Sequence, residues 1–210
     1  MFAVIRKILS FARNIKGSLK VIENKRKVTL VGGYQFFDNV SGVTLTCGST
    51  KEDIVMNEHS ELFGELISFN HGKITIGDWA KIGYGTKIHC VNSITIGNDT
   101  AIADNVLIVD HNYHPVNPAD RLYMRHTPHG SIERSPMCAA NAPIVIGKNV
   151  WIGSNVRVNK GVTIGDNSVI GANSIVTKNI PANCVAVGNP AHVVKENIDK
   201  TTTPIFPLKK

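Results

Sequence analysis

The sequence predicts an all-β solenoid, a coil of short strands with a helix in front and one long excursion interrupting it. Three observations carry that reading: aliphatic residues recur every six positions, glycine or alanine follows most of them, and a small or β-branched residue stands four positions after most of them. Ile76, Ile82 and Ile88 begin the series, Ile96, Ile102 and Ile108 continue it after a two-residue slip, and Ile146, Ile152, Val158, Ile164, Ile170 and Val176 run on without a gap. Gly77, Gly83, Gly97, Gly147, Gly153, Gly165 and Gly171 follow directly, with Ala103 in one register position. Ala80, Thr86, Thr100, Val106, Val150, Val156, Val162, Ser168 and Ser174 hold the small site. A period of six suits neither a helix nor a long alternating strand. It suits strands laid on three sides, one aliphatic per side pointing inward, so that about 18 residues close a turn and turns stack about 4.8 Å apart. The glycine beside each aliphatic tolerates the positive φ that such corners can demand.

The bulk properties agree. The chain has 210 residues, 42% hydrophobic and 19% charged, with unremarkable glycine and proline counts of 18 and 9, which excludes a disordered or collagen-like chain and supplies a core for one ordinary domain. No apolar run approaches the roughly 18 residues of a spanning helix. The net charge of +7 gathers near the ends, with Arg6, Lys7, Arg13, Lys16, Lys20, Lys25, Arg26 and Lys27 in front and Lys209 and Lys210 behind. No zinc-finger, RNP-like or helix-turn-helix pattern accompanies it, which argues against a nucleic-acid partner. Cys47, Cys90, Cys138 and Cys184 are widely spaced and are expected to be reduced in the cytosol, Cys90 and Cys138 as apolar filler.

The elements follow in order. Phe2, Ile5, Leu9, Ala12 and Ile15 recur at helical spacing, with basic residues mostly off that stripe, so residues 1–27 read as a basic amphipathic helix and linker. Its stripe is expected to pack across one end of the domain; the alternative is peripheral contact with a membrane surface. Residues 28–72 hold the β-like runs VTLVGGYQFF and SGVTLTCG, read as degenerate turns of a solenoid domain that extends over 28–195, with 196–210 as a tail. Residues 109–143, VDHNYHPVNPADRLYMRHTPHGSIERSPMCAANAP, abandon the period and carry four of the eight histidines together with Arg121, Arg125 and Arg134. An interruption this long in a solenoid is usually functional, and its titratable groups make it the candidate site.

HPVNPADR (114–121), the run APIVIGKNVWIGSNVRVNKGVTIGDNSVIGANSIVTKNIP and the closing VAVGNPAHVV resemble the maltose/galactoside and polysaccharide O-acetyltransferase branch of the hexapeptide-repeat acyltransferases. The resemblance covers roughly residues 73–195. It implies a left-handed parallel β-helix, a homotrimer with acetyl-CoA in grooves between subunits, and acetyl transfer to a hydroxyl of a sugar or cell-surface polysaccharide, with no metal. Carried over by position, it makes His114 the general base, puts Trp151 beside the reacting centre, and has Gly153 and Ser154 offer an amide or hydroxyl to the acetyl carbonyl. Gly171 and Ala172 line the pantetheine arm, Thr177 and Lys178 lie near the nucleotide end, and Pro190 packs on the adenine. His192 stands where the family usually carries Arg or Lys.

The chemistry asks for the same parts. A hydroxyl needs a base to accept its proton as it attacks a thioester, and histidine titrates in the right range. The tetrahedral oxyanion needs a fixed donor. His111 is the second candidate for the base and Asp110 a candidate orienter of either imidazole. His126 and His129 read as solvated, as do the three arginines, for which an anionic acceptor is the alternative. His89 reads as structural. Three rival functions remain at this level: N-acetylation of an amino sugar, a zinc enzyme of the β-helical carbonic anhydrase kind built on His89, His111 and His114, and a non-catalytic scaffold. A basic N-terminal helix would suit a cytoplasmic enzyme at the inner face of a membrane, a placement that fails if deleting residues 1–20 leaves membrane association unchanged.

Overall fold

The computed structural model describes residues 15–201. Parallel strands lie on three faces, of six, eight and six strands, and the chain visits the faces in rotation, one short strand on each. The first face runs from Thr29–Leu30 to Thr163–Ile164, the second from Phe36–Phe37 to Val185–Gly188 and the antiparallel Ala191–Lys195, and the third from Gly42–Thr46 to Ile175–Val176. The period of six is the reason. Each side is too short for a conventional strand, so the same register position returns every third side and lands directly above its predecessor. On the first face Met56, Ile76, Ile96, Ile146 and Ile164 are in register, and on the second Leu62, Ile82, Ile102, Ile152, Ile170 and Ala186. On the third face Leu66, Ile88, Ile108, Val158 and Val176 form the matching ladder. All of these side chains are buried, and with the small residues four places on they fill the axis of the coil. Residues 28–72 supply the first two coils in the same register, Val43 pairing with Leu66 and Ile54 with Ile74.

The glycines do something other than expected. None of Gly77, Gly83, Gly97, Gly147, Gly153, Gly165 and Gly171 has a positive φ. That conformation falls two residues later, at Trp79, Gly85, Asp99, Asn149, Asn155, Asn167 and Asn173, and at Asn105 after Ala103, where Asn and Asp predominate because their short polar side chains tolerate it. The asparagines also tie coils together: Asn149 donates to Asn167 at 3.1 Å, and Asn167 to Asn183 at 2.9 Å. The glycines serve closeness instead. A Cβ on Gly97 would lie 2.5 Å from the carbonyl oxygen of Gly147, and one on Gly153 2.7 Å from the amide nitrogen of Ala172. Coils stacked at strand spacing leave no room there for a side chain.

Residues 15–26 form a helix laid against the first coil. Asn24, buried, clamps it: its amide donates to the Ser41 carbonyl at 2.9 Å and its oxygen accepts from Val43 N at 3.1 Å. Val21 packs on the core beside it. Ile15, on the predicted stripe, is 45% exposed, and Leu19 and Ile22 share its outward face. The contact face is therefore the Val21–Asn24 side, chosen by the buried asparagine rather than by the apolar stripe; Phe2, Ile5, Leu9 and Ala12 lie outside the described residues. Among the described residues no helix is long and apolar enough to cross a membrane.

Candidate active site

The excursion leaves the coil after Leu107–Val109 on the third face and returns at Ile144–Ile146 on the first. Its two ends are pinned side by side. His111 bridges to Asn141, Asn112 N donates to Ala140 O at 3.0 Å, and Ala142 N donates to Asp110 O at 2.9 Å. Between the ends lies a nine-residue helix, Pro118–His126, inside a segment whose sequence reads as irregular. Its start has a local cause: the side chain of Asn117 accepts from Ala119 N at 2.8 Å and proline occupies the first turn, where its missing N–H costs nothing. Arg121, last residue of the HPVNPADR stretch, folds back onto the carbonyls of Val116 and Pro115. Arg134 reaches the other end of the helix, donating to Thr127 O at 2.9 Å and Arg125 O at 2.7 Å. These two guanidiniums give the excursion its shape.

That shape holds His114 exposed on the rim of a cavity of about 530 Å³, lined also by Phe69, Arg121, Arg125, His129 and Arg134. His111 is elsewhere. Its side chain is fully buried, with Nδ1 3.0 Å from Asp110 Oδ1. Asp110, buried with it, accepts in addition from Val91 N at 2.9 Å, Asn92 N at 2.7 Å and Cys90 Sγ at 3.2 Å. Asp110 therefore orients His111 and, among the described residues, makes no hydrogen bond or ion pair with His114. Burial and the neighbouring carboxylate push the Cys90 thiol well above its ordinary range, so it stays protonated. His89 joins this buried group, its Nδ1 2.6 Å from the Tyr113 hydroxyl and its ring edge-on to Phe69. Burial, with His111 and Lys87 nearby, brings its pKa down to about 4, which keeps it neutral at physiological pH. His89 and His111 thus sit in a packed aromatic cluster while His114 faces the cavity. Among the described residues no three His, Cys, Asp or Glu side chains converge as a metal site, and the proposed zinc trio is split between two environments. Cys138, read as filler, is exposed and donates to Ile132 O at 3.1 Å. The short turn it occupies lies on the surface of the excursion.

The residues assigned to the donor lie on the corners of the C-terminal coils and share no lining with the cavity of His114. Trp151 is 58% exposed on the second face. Ser154 and Ala172 stand one above the other at the next corner, joined by Asn173 N to Ser154 O at 2.9 Å. Gly153 is buried and its amide is taken by Ile170 O at 2.8 Å, and that of Gly171 by Ala186 O at 2.9 Å. Neither glycine has a free donor, which corrects the role the sequence suggests for Gly153. Ser154 does. At some equivalent corners the amide is capped from the next coil, as Tyr84 N is by Asp104 Oδ1 at 2.9 Å and Lys148 N by Asp166 Oδ1 at 2.8 Å, whereas at others, Asp104 and Ala172 among them, it has no acceptor among the described residues. Above Ser154 the next coil presents Ala172, which has no oxygen to offer, and among the described residues the Ser154 amide has no acceptor. Thr177, Lys178 and Pro190 are exposed, the first two on the same edge of the coil that the excursion leaves.

A parallel three-sided coil interrupted by one histidine-bearing excursion is the architecture of the left-handed β-helix transferases. A model of bacterial transferase hexapeptide repeats (six repeats) matches residues 143–178. WbbJ of Escherichia coli (strain K12), described as a lipopolysaccharide biosynthesis O-acetyl transferase, is 36% identical over 162 residues, covering 68% of this chain and 74% of that protein. The polysialic acid O-acetyltransferase of Escherichia coli O1:K1 is 34% identical over 68% of this chain, which spans 43% of that protein's length. The crystal structure of the polySia-specific acetyltransferase NeuO is 25% identical with a TM-score of 0.57, over 81% of this chain and 85% of that one. The chain belongs to the hexapeptide-repeat transferase family, among its acetyltransferases.

Proposed function

We propose that the protein transfers acetyl from acetyl-CoA to a hydroxyl of a sugar or polysaccharide by direct attack, with His114 as general base. The observation that carries this reading is the contrast between the two histidines of DHNYH: His114 stands open on the cavity rim, whereas His111 is sealed in by Asp110, Phe69 and Tyr113. His114 takes the proton of the attacking hydroxyl as its oxygen bonds to the acetyl carbon. The amide of Ser154, aided by its hydroxyl, holds the negative charge that gathers on the carbonyl oxygen. The charge returns, the carbon–sulfur bond breaks, and His114 gives its proton to the sulfur. No enzyme nucleophile takes part.

Trp151, Ala172, Thr177, Lys178 and Pro190 present exposed surfaces suited to the donor's pantetheine and nucleotide portions. Because the cavity of His114 and the corner of Ser154 share no lining within one chain, the reading calls for an oligomer in which one subunit's excursion meets the next subunit's corner, the arrangement that the resemblance implies as a homotrimer. One relative is described as an O-acetyl transferase of lipopolysaccharide biosynthesis and another as acetylating polysialic acid, which supports a glycan acceptor here. The test is calorimetric titration of acetyl-CoA together with thiol release on a panel of neutral sugars, acidic sugars and amino sugars. Acetyl-CoA should bind, and thiol should appear with a hydroxyl acceptor; no binding overturns the reading, and turnover confined to amino sugars moves it to N-acetylation.

A further inference from the structure

The cavity under His114 has an electrostatic character that acetyl transfer alone does not explain. Arg121, Arg125 and Arg134 line it with His114 and His129, and no carboxylate belongs to its wall. The acidic side chains of this part of the excursion, Asp120 and Glu133, line a second, smaller hollow with Pro115, Tyr123 and Cys138. The helix Pro118–His126 thus sorts its charge, with Arg121 and Arg125 one turn apart facing the cavity and Asp120 turned away. Like charges four residues apart on a helix repel. Among the described residues neither arginine is relieved by an ion pair, and neither is Arg134.

The three guanidiniums are not equivalent. Arg121 and Arg134 are committed to backbone carbonyls, as described above, and fix the cavity's walls. The guanidinium of Arg125 makes no hydrogen bond or ion pair among the described residues. Ser131, in the same lining, has a buried hydroxyl with no partner. A hydroxyl left without a partner and a free planar fork of donors, both in the lining of one cationic cavity, match an oxyanion with two or more acceptor oxygens.

Resting on the acetyl-transfer reading, we propose that the acceptor carries an anionic group, the carboxylate of an acidic sugar or the phosphate of a sugar phosphate, bound by Arg125 and Ser131. Arg121 and Arg134 add the surrounding field. Anchoring the acceptor in the cavity that His114 borders brings the hydroxyl to be acetylated to the base and makes neutral sugars poor substrates.

Two measurements test this. In steady-state assays Arg125→Ala should lower kcat/KM about 10- to 100-fold for the anionic acceptor, the size of one lost charge-assisted bond. The KM for acetyl-CoA should stay within about twofold, and Arg125→Lys should restore part of the loss. An equal loss with a neutral acceptor, or a loss that falls on the KM for acetyl-CoA, overturns the proposal; the second result would give the cavity to the donor's phosphates. Independently of turnover, glucuronate or glucose 1-phosphate should raise the Tm of the wild-type protein but not of Arg125→Ala, with glucose inert toward both. The arm that responds separates carboxylate from phosphate, and no response to either anion overturns the proposal. Absence of thiol release with every acceptor, beside an intact anion response, would instead count against the acetyl-transfer reading.

Discussion

His114→Ala is expected to lower the rate of acetyl transfer by about 100- to 10,000-fold, the usual worth of a positioned general base, while the affinity for acetyl-CoA and the Tm stay at their wild-type values. The stability half of this expectation follows from the surroundings. The imidazole is exposed and makes no side-chain hydrogen bond among the described residues, so its removal leaves no cavity and no unpaired group. The activity half follows from the chemistry: without a base the hydroxyl must lose its proton to water during attack. Added imidazole should restore part of the rate if the vacated space opens to the cavity as the structure indicates. His111→Ala should behave in the opposite way. It removes a fully buried ring packed against Phe69 and Tyr113, so it should lower the Tm first and the activity only as a consequence. A wild-type rate in His114→Ala, with a rate lost in His111→Ala at unchanged Tm, would transfer the role to His111.

What could be read from the sequence, and what could not, divides along a physical line. The ladders were legible because a solenoid makes every long-range contact periodic: knowing that Ile82 and Ile102 point inward is enough to place Ile152 and Ile170 above them. The glycines were legible as corner residues but not in their cause, since periodicity locates a small residue without saying whether space or φ demands it; Gly97 answers that only once Gly147 lies on top of it. In the excursion the period is gone, and each contact is a separate fact. The Asn117–Pro118 pair was a local signal for a helix start that an irregular reading passed over. The split between His111 and His114 had no local signal at all, because it depends on Val91, Asn92 and Phe69, contributed by other coils. Arg121 shows the same thing from the motif's side: its spacing from His114 in HPVNPADR makes physical sense once its guanidinium is seen holding the carbonyls of the residues that follow the histidine.

Asp110→Ala is expected to cost about 3–5 kcal/mol of stability, the largest loss a single polar substitution should produce in this chain. The carboxylate is the common acceptor for two backbone amides, an imidazole and a thiol, all where the excursion leaves the coil. Alanine leaves Val91 N, Asn92 N and His111 Nδ1 facing a void, and buried donors without partners each cost about 1–3 kcal/mol. Asp110→Asn keeps the shape and one acceptor oxygen but turns an NH₂ toward groups that are themselves donors, so it should recover about half of the loss. Denaturant unfolding at fixed protein concentration measures both, the concentration being held because subunit association would shift the midpoint by mass action. Activity should fall with them for a reason distinct from the chemistry. Ala142 N donates to the Asp110 carbonyl and Asn112 N to Ala140, so loosening the aspartate loosens the clamp that presents His114, two residues beyond Asn112. If both variants unfold like the wild type, the buried carboxylate is not what fixes the base of the excursion. If both are destabilised but keep full kcat at low temperature, the position of His114 depends on Arg121 and the helix rather than on the clamp.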